Sequence, residues 1–188
     1  MAGRTIDLEQ EKELLHRARE GDEEAFRKIV NLHQRQVAAT VMGMLGNCPE
    51  AEDVGQEVFI QFFRSLDRFR GESRIATYLT RIALNLAVNE LRRRKKEKQL
   101  LAAGAEGWLK ASTDSREEAN DARRLIAQAL QQLEPRFREV IVLRFLNGYS
   151  TEETARILKL PLGTVLSRLS RAQMKLREIL LPLMGQEK

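Results

Sequence analysis

Cysteine is all but missing from this chain. Cys48 is the only one, so no internal disulfide can form, and a lone thiol fits a reducing compartment. Histidine is nearly as scarce, with only His16 and His33. These three residues leave no Cys/His spacing for a metal site. Neither a G-x-x-x-x-G-K-S/T loop nor a G-x-G-x-x-G turn occurs, which removes two common enzyme motifs. Aromatic residues make up 5% of the chain. Val, Ile, Thr and Tyr never gather in alternating runs, so no sheet is expected. No apolar run approaches the ~20 residues that span a bilayer. The N-terminal stretch MAGRTIDLEQEKELL is too polar and acidic for a secretory signal. The expectation is a soluble, cytoplasmic chain that is not an enzyme, with no cofactor and no membrane insertion.

What is present is helix formers and charge. Leu, Ala, Glu, Arg and Lys dominate, 43% of residues are hydrophobic and 31% are charged. That mixture favours helices and still leaves enough apolar surface for a core. The length of 188 residues suits one domain or two small ones. The net charge of +5 is compatible with a polyanionic partner without proving one.

Helical punctuation divides the chain. Asp7–Glu20 reads as a short amphipathic helix ending at Gly21, and Asp22 is placed to cap the next, which carries Ala25, Phe26, Ile29, Val30 and Val37. Ala51–Asp67 carries Val54, Val58, Phe62 and Leu66, a stripe widened by Phe59 and Phe63, and so predicts a well-buried helix. Phe69–Ser73, FRGES, reads as a loop, and Ile75–Arg94 as a further helix. RRRKKEK at Arg92–Lys98 leads into LLAAGAEGWLKASTDS, which has weak periodicity and reads as a linker. Trp108, alone within it, either tacks the linker onto a domain or meets a partner. From Ser115 the helices return. Pro135 starts one, Asn147-Gly148 closes it, and Ser150 with Glu153 has capping-box spacing. Thr151–Leu158 and Leu162–Leu180 follow, joined by a short turn. The expected fold class is all-α: two small helical bundles, 1–97 and 118–188, joined by a flexible linker over 98–117.

The closely spaced helix pair in the second bundle has the form of a helix-turn-helix. At ~100° per residue, Val165, Leu169, Ala172 and Leu176 share one face and must be buried. Ser167, Ser170, Arg171 and Met174 lie opposite, with Arg168 and Lys175 on a flank. Gly163 and Thr164 open the helix, where free N–H groups favour a phosphate. Ala155–Arg177 holds six basic residues and no acid. Charge alone also fits a solvated face. Joined to a helix-turn-helix with small polar residues outward, it points to the major groove of DNA.

The first bundle carries a different surface. Asp53, Gln56 and Glu57 stand at i, i+3 and i+4 and form one polar patch. An acidic patch does not bind DNA, so it faces either water or a basic partner. Gly55, mid-helix at a cost of up to ~1 kcal/mol, suggests a close backbone approach. Arg81, Asn85, Asn89 and Arg92 step along one face of the next helix, and Asn and Arg bond base edges and phosphates. Tyr78 beside them suits stacking on an unpaired base or a place in the core.

AEDVGQEVF at Ala51–Phe59, LDRFRGESRIATYLTRIALNLAVNELRR at Leu66–Arg93, and the stretch from Leu133 to Arg177 together resemble, in order and spacing, a sigma factor of the extracytoplasmic-function group of the sigma-seventy family. The resemblance covers nearly the whole chain. It implies that Asp53, Gln56 and Glu57 bind the clamp helices of core RNA polymerase. It implies that Phe69, Arg70, Gly71, Glu72 and Ser73 pocket a flipped minus-ten base, with Tyr78, Arg81 and Asn85 among the minus-ten contacts. Gly163, Thr164, Ser167, Arg168, Ser170 and Arg171 then contact the minus-thirty-five element. The linker is expected to thread toward the RNA exit path, and an anti-sigma factor is an expected partner. Three departures stand out: Tyr78 replaces the usual Trp, Gly55 an aliphatic residue, and Leu166 a common basic residue. The competing reading is a stand-alone helix-turn-helix regulator, which binds its duplex without polymerase.

Overall fold

The computed structural model describes residues 7–69, 71, 73–104 and 121–184. Among these residues every regular element is helical. The first bundle consists of α1 (Leu8–Arg19), α2 (Glu23–Leu45), α3 (Pro49–Arg64) and α4 (Ile75–Gly104). The second consists of α5 (Asp121–Gln132), α6 (Pro135–Ile141), α7 (Thr151–Leu158) and α8 (Leu162–Met184).

Local chemistry sets the boundaries. The Asp22 carboxylate accepts from the Ala25 N–H and caps α2. Pro49 and Pro135 occupy the first turns of α3 and α6, where a missing N–H costs nothing. Ser150 and Glu153 form a full capping box on α7. α4 continues to Gly104, past Arg94, where the periodicity places its end. The residues beyond Arg94 are good helix formers, and Arg93 ties Glu90 and Glu97 at 2.8 and 2.6 Å along the same helix. Trp108 and the rest of 105–120 lie outside the described residues.

The first core centres on Ile29, Val41, Met44, Val58, Phe62 and Leu79. The second centres on Leu130, Phe137, Val140, Val165 and Ala172. Phe63 departs from the expected stripe. It is 56% exposed and meets Phe26 only edge-on, with ring centroids 5.0 Å apart.

The two bundles are not separate bodies. A π-helical turn, Val142–Leu146, follows α6 and packs on α2. Val142, Leu143 and Ile157, all from the second bundle, are buried within the core of the first. Gly43 permits the approach: a Cβ there would lie 2.8 Å from both Val142 and Leu146 side chains. Gly55, by contrast, has nothing among the described residues within 4 Å of such a Cβ.

Candidate nucleic-acid interface

The helix pair in the second bundle has the geometry its sequence implies. Lys159 ends α7 in the left-handed region, at φ 54°, and the Leu160 N–H returns to the Ala155 carbonyl. This compact turn starts α8 at once. Val165 and Ala172 are fully buried, and Leu169 and Leu176 pack beside them against the second core. That face fixes the rotation of α8, so Gly163, Ser167, Ser170, Arg171 and Met174 point outward and are exposed. Thr164 and Arg168 are half-buried.

The charges along α8 are not equivalent. Lys175 bonds Glu134 at 3.2 Å and lies 5.2 Å from the Phe137 ring centre. Arg171 and Arg177 have no carboxylate partner among the described residues. Arg168 stands near Glu139, whose carboxyl is pushed up by burial against the pull of Arg168 and Arg92. Glu139 on α6 therefore feels the charge of one arginine of α8 and one of α4.

In the first bundle, Asn85, Asn89 and Arg92 are exposed along α4. Arg81 is half-buried. Its guanidinium donates to the Arg156 carbonyl at 3.2 Å, and its Nε has no partner. A cavity of about 620 Å³ opens here, lined by Arg68, Arg74, Tyr78 and Arg81 from the first bundle and Glu153 and Arg156 from the second. Arg68, Arg74 and Arg156 escaped the sequence reading. Their signal is local, since two of them flank the FRGES loop. Tyr78 packs on the first core and also borders the cavity. Its ring centre stands 4.8 Å from that of Phe69 and 6.0 Å from that of Phe62, and the residue lines the cavity. Phe69 is only 6% exposed and supports Tyr78 from below. Gly71 is exposed, with φ +72°, and Ser73 is half-buried. Arg70 and Glu72 lie outside the described residues.

The acidic helix α3 is also sorted by its partners. Glu50 bonds Arg94 at 3.2 Å, and its carboxyl is held below the usual range by a main-chain N–H, by Cys48 and by Arg94. Asp53 and Gln56 are exposed on the outer face, and Asp53 has no ion pair among the described residues. Glu57 is half-buried with Arg64 at 3.9 Å, a separation worth little in water. Ile60, 43% exposed, and Phe63 continue this face with apolar surface.

The arrangement can bind two unlike partners. One surface is basic and polar, with aromatic support. The other is acidic with an apolar margin. No group of three or more His, Cys, Asp or Glu side chains is placed to hold a metal among the described residues. No helix among them is long and apolar enough to cross a membrane.

The chain is similar to known proteins along most of its length. Residues 29–97 match the family model for sigma-70 region 2, and residues 129–178 match that for sigma-70 region 4. The chain is 35% identical to the RNA polymerase sigma-H factor of Pseudomonas aeruginosa, over 95% of this chain and 98% of that protein. It is 32% identical to the ECF RNA polymerase sigma factor SigW of Bacillus subtilis, over 89% of this chain and 95% of that one. Among solved structures, the sigma factor RpoE of Bartonella quintana, in complex with the anti-sigma factor NepR, superimposes with a TM-score of 0.68 at 26% identity. That match covers 87% of this chain and 98% of that one.

Proposed function

The chain belongs to the sigma-70 family, as a factor of its extracytoplasmic-function group, and on that premise we propose how its surfaces divide the work of directing core RNA polymerase to promoters. Asp53, Gln56 and Glu57 on α3 dock the polymerase, and Ile60 and Phe63 extend the contact. The Phe69–Ser73 loop, with Tyr78, Arg81 and Asn85, takes the minus-ten strand. Gly163, Thr164, Ser167, Arg168, Ser170 and Arg171 on α8 meet the minus-thirty-five duplex. The first unit runs through α4 to Gly104, the linker expected over 98–117 begins only after it, and 118–188 form the second unit. The chain performs no chemistry itself, because the nucleotidyl transfer belongs to the polymerase. It acts where polymerase and chromosome meet, in the cytoplasm, and an anti-sigma factor holds it inactive, as the complexed relative suggests.

One observation carries this reading. Two exposed charges without an ion-pair partner among the described residues lie on different bundles: Asp53 on α3 and Arg171 on α8. A stand-alone regulator has use for the second set and none for the first. The test is run-off transcription with purified core polymerase on fragmented genomic DNA, mapping the 5′ ends. Defined start sites that require both core and this chain support the reading. Equal, tight binding of the same fragments by the chain without core overturns it.

A further inference from the structure

Resting on the assignment of α8 to the minus-thirty-five duplex, we infer that this chain reads part of that element through an apolar contact, in which the Leu166 side chain packs on the 5-methyl group of one thymine in the major groove. Three observations on α8 carry this.

The first is where Leu166 stands. Val165 and Ala172 are fully buried in the second core and fix the rotation of α8. Leu166 lies between Val165 and Ser167, one turn before Ser170, and is exposed. It belongs to neither core among the described residues. A lone exposed leucine is ordinary on a protein surface. This one is set in Ala155–Arg177, a stretch with six basic residues and no acid. The charge around it selects a polyanion as the occupant.

The second is how few other groups on this face can read a base. Gly163, Ser167 and Ser170 are exposed and short. The Ser167 hydroxyl already donates to the Thr164 carbonyl at 3.3 Å. Arg168 is half-buried, and its charge acts on Glu139. From Gly163 to Arg171, Leu166 is the longest exposed side chain without a charge. Short neighbours let α8 approach the base edges closely, and that approach carries Leu166 with it.

The third is continuity. Leu162, one turn before Leu166, and Met174, two turns after it, are also exposed. The outward side of α8 is thus a mixed surface of cations, hydroxyls and alkyl groups. That mixture suits a groove whose floor carries both polar edges and methyls.

The chemistry of the groove completes the assignment. Thymine alone presents a methyl there. Leucine over that methyl removes both groups from water. Over the polar edge of another base it would leave donors or acceptors unpaired. One contact therefore favours thymine and rejects its competitors.

The experiment deletes the methyl alone. A promoter is mapped by run-off transcription with core polymerase and the full chain. Each thymine of its minus-thirty-five element, on either strand, is then replaced singly by deoxyuracil, and holoenzyme binding is measured. Wild type should lose about three- to fivefold at one position, the worth of one buried methyl. Leu166→Ala should bind the thymine and uracil duplexes at that position equally, with helix content unchanged by circular dichroism. Leu166→Arg should lose the same distinction, whatever its charge adds. Uracil sensitivity that persists in Leu166→Ala overturns the inference, as does sensitivity that vanishes in Met174→Ala instead. If uracil is silent everywhere while other single-base changes still weaken binding, the methyl contact fails and the minus-thirty-five assignment stands. If no base change in the element matters, both fail.

Discussion

The guanidinium of Arg138, in the second bundle, donates to the main-chain carbonyl of Met44, at the end of α2 in the first. Arg138 is 4% exposed and has no carboxylate partner among the described residues. Its other acceptors are Gln131 Oε1 at 2.7 Å, Gln131 O at 2.6 Å and Leu133 O at 2.9 Å. Burial pushes its pKa down to about 10, so it remains charged at neutral pH. The carbonyls, at the C-terminal ends of α2 and α5, are the negative ends of helix dipoles and favour that charge. Arg138→Ala should cost about 3 kcal/mol in urea unfolding, because several buried carbonyls lose their donor. Arg138→Lys should fall between the two, since one ammonium cannot span the fork. Equal stability of all three proteins would show that the network adds nothing.

Asp53 and Glu57 should be separable from the fold. Asp53→Lys with Glu57→Lys should leave the helical signal and melting behaviour intact, because among the described residues Asp53 is exposed without an ion pair and Glu57 holds only the long Arg64 contact. Affinity for core polymerase should drop about tenfold or more, since like charges at a basic contact repel. Glu50→Lys is the contrast. It breaks the Arg94 pair and should lower stability more than core affinity. A pull-down titration alongside thermal melts checks both.

The parts of this molecule set by local chemistry were legible in the sequence. Ser150 and Glu153 name the start of α7 by spacing alone, and the Val165–Ala172 stripe fixes which side of α8 faces outward. Contacts between bundles were not legible. Val142, Leu143 and Ile157 carry no mark in the sequence of a partner outside their own bundle, because periodicity records that a face is buried but not against what. Gly43 sits in a helix with nothing local to mark it, while Gly55, which drew attention, meets nothing among the described residues. Tyr149 follows a turn glycine and gives no sign that its hydroxyl reaches Gln36. The length of α4 was missed because weak amphipathicity reads as linker when helix propensity and i,i+4 pairs carry the helix instead.

His33 predicts a pH dependence. It is half-buried on α2, and burial holds its imidazole below the ordinary value, only partly opposed by the Glu11 carboxylate. Above about 6.5 the imidazole is neutral in both folded and unfolded chains, and stability is full. As pH falls below that value the unfolded chain takes up the proton first, so stability declines. Urea midpoints should therefore be lower at pH 5.5 than at pH 7.5. His33→Gln, which cannot titrate, should reduce that difference; an unchanged difference assigns it to other groups.

Arg171 and Leu166 test the face of α8 by loss and by gain. Arg171 is exposed, opposite the buried stripe, and free of any carboxylate among the described residues. Its fork can bond a guanine edge or a phosphate. If it reads a base, Arg171→Ala should cost about 1–3 kcal/mol and flatten preference at one minus-thirty-five position. If it holds a phosphate, the loss should be uniform across sequences, and the salt slope should fall by about one. Leu166, 53% exposed, lies on the flank of the same face. Leu166→Arg should tighten promoter binding by the polymerase complex at low salt, and the gain should fade as salt screens the added charge. Holoenzyme binding to single-base variants of the minus-thirty-five element, at two salt concentrations, reads all of these at once. The recognition face lies elsewhere if neither substitution changes affinity or preference while circular dichroism shows the helices intact.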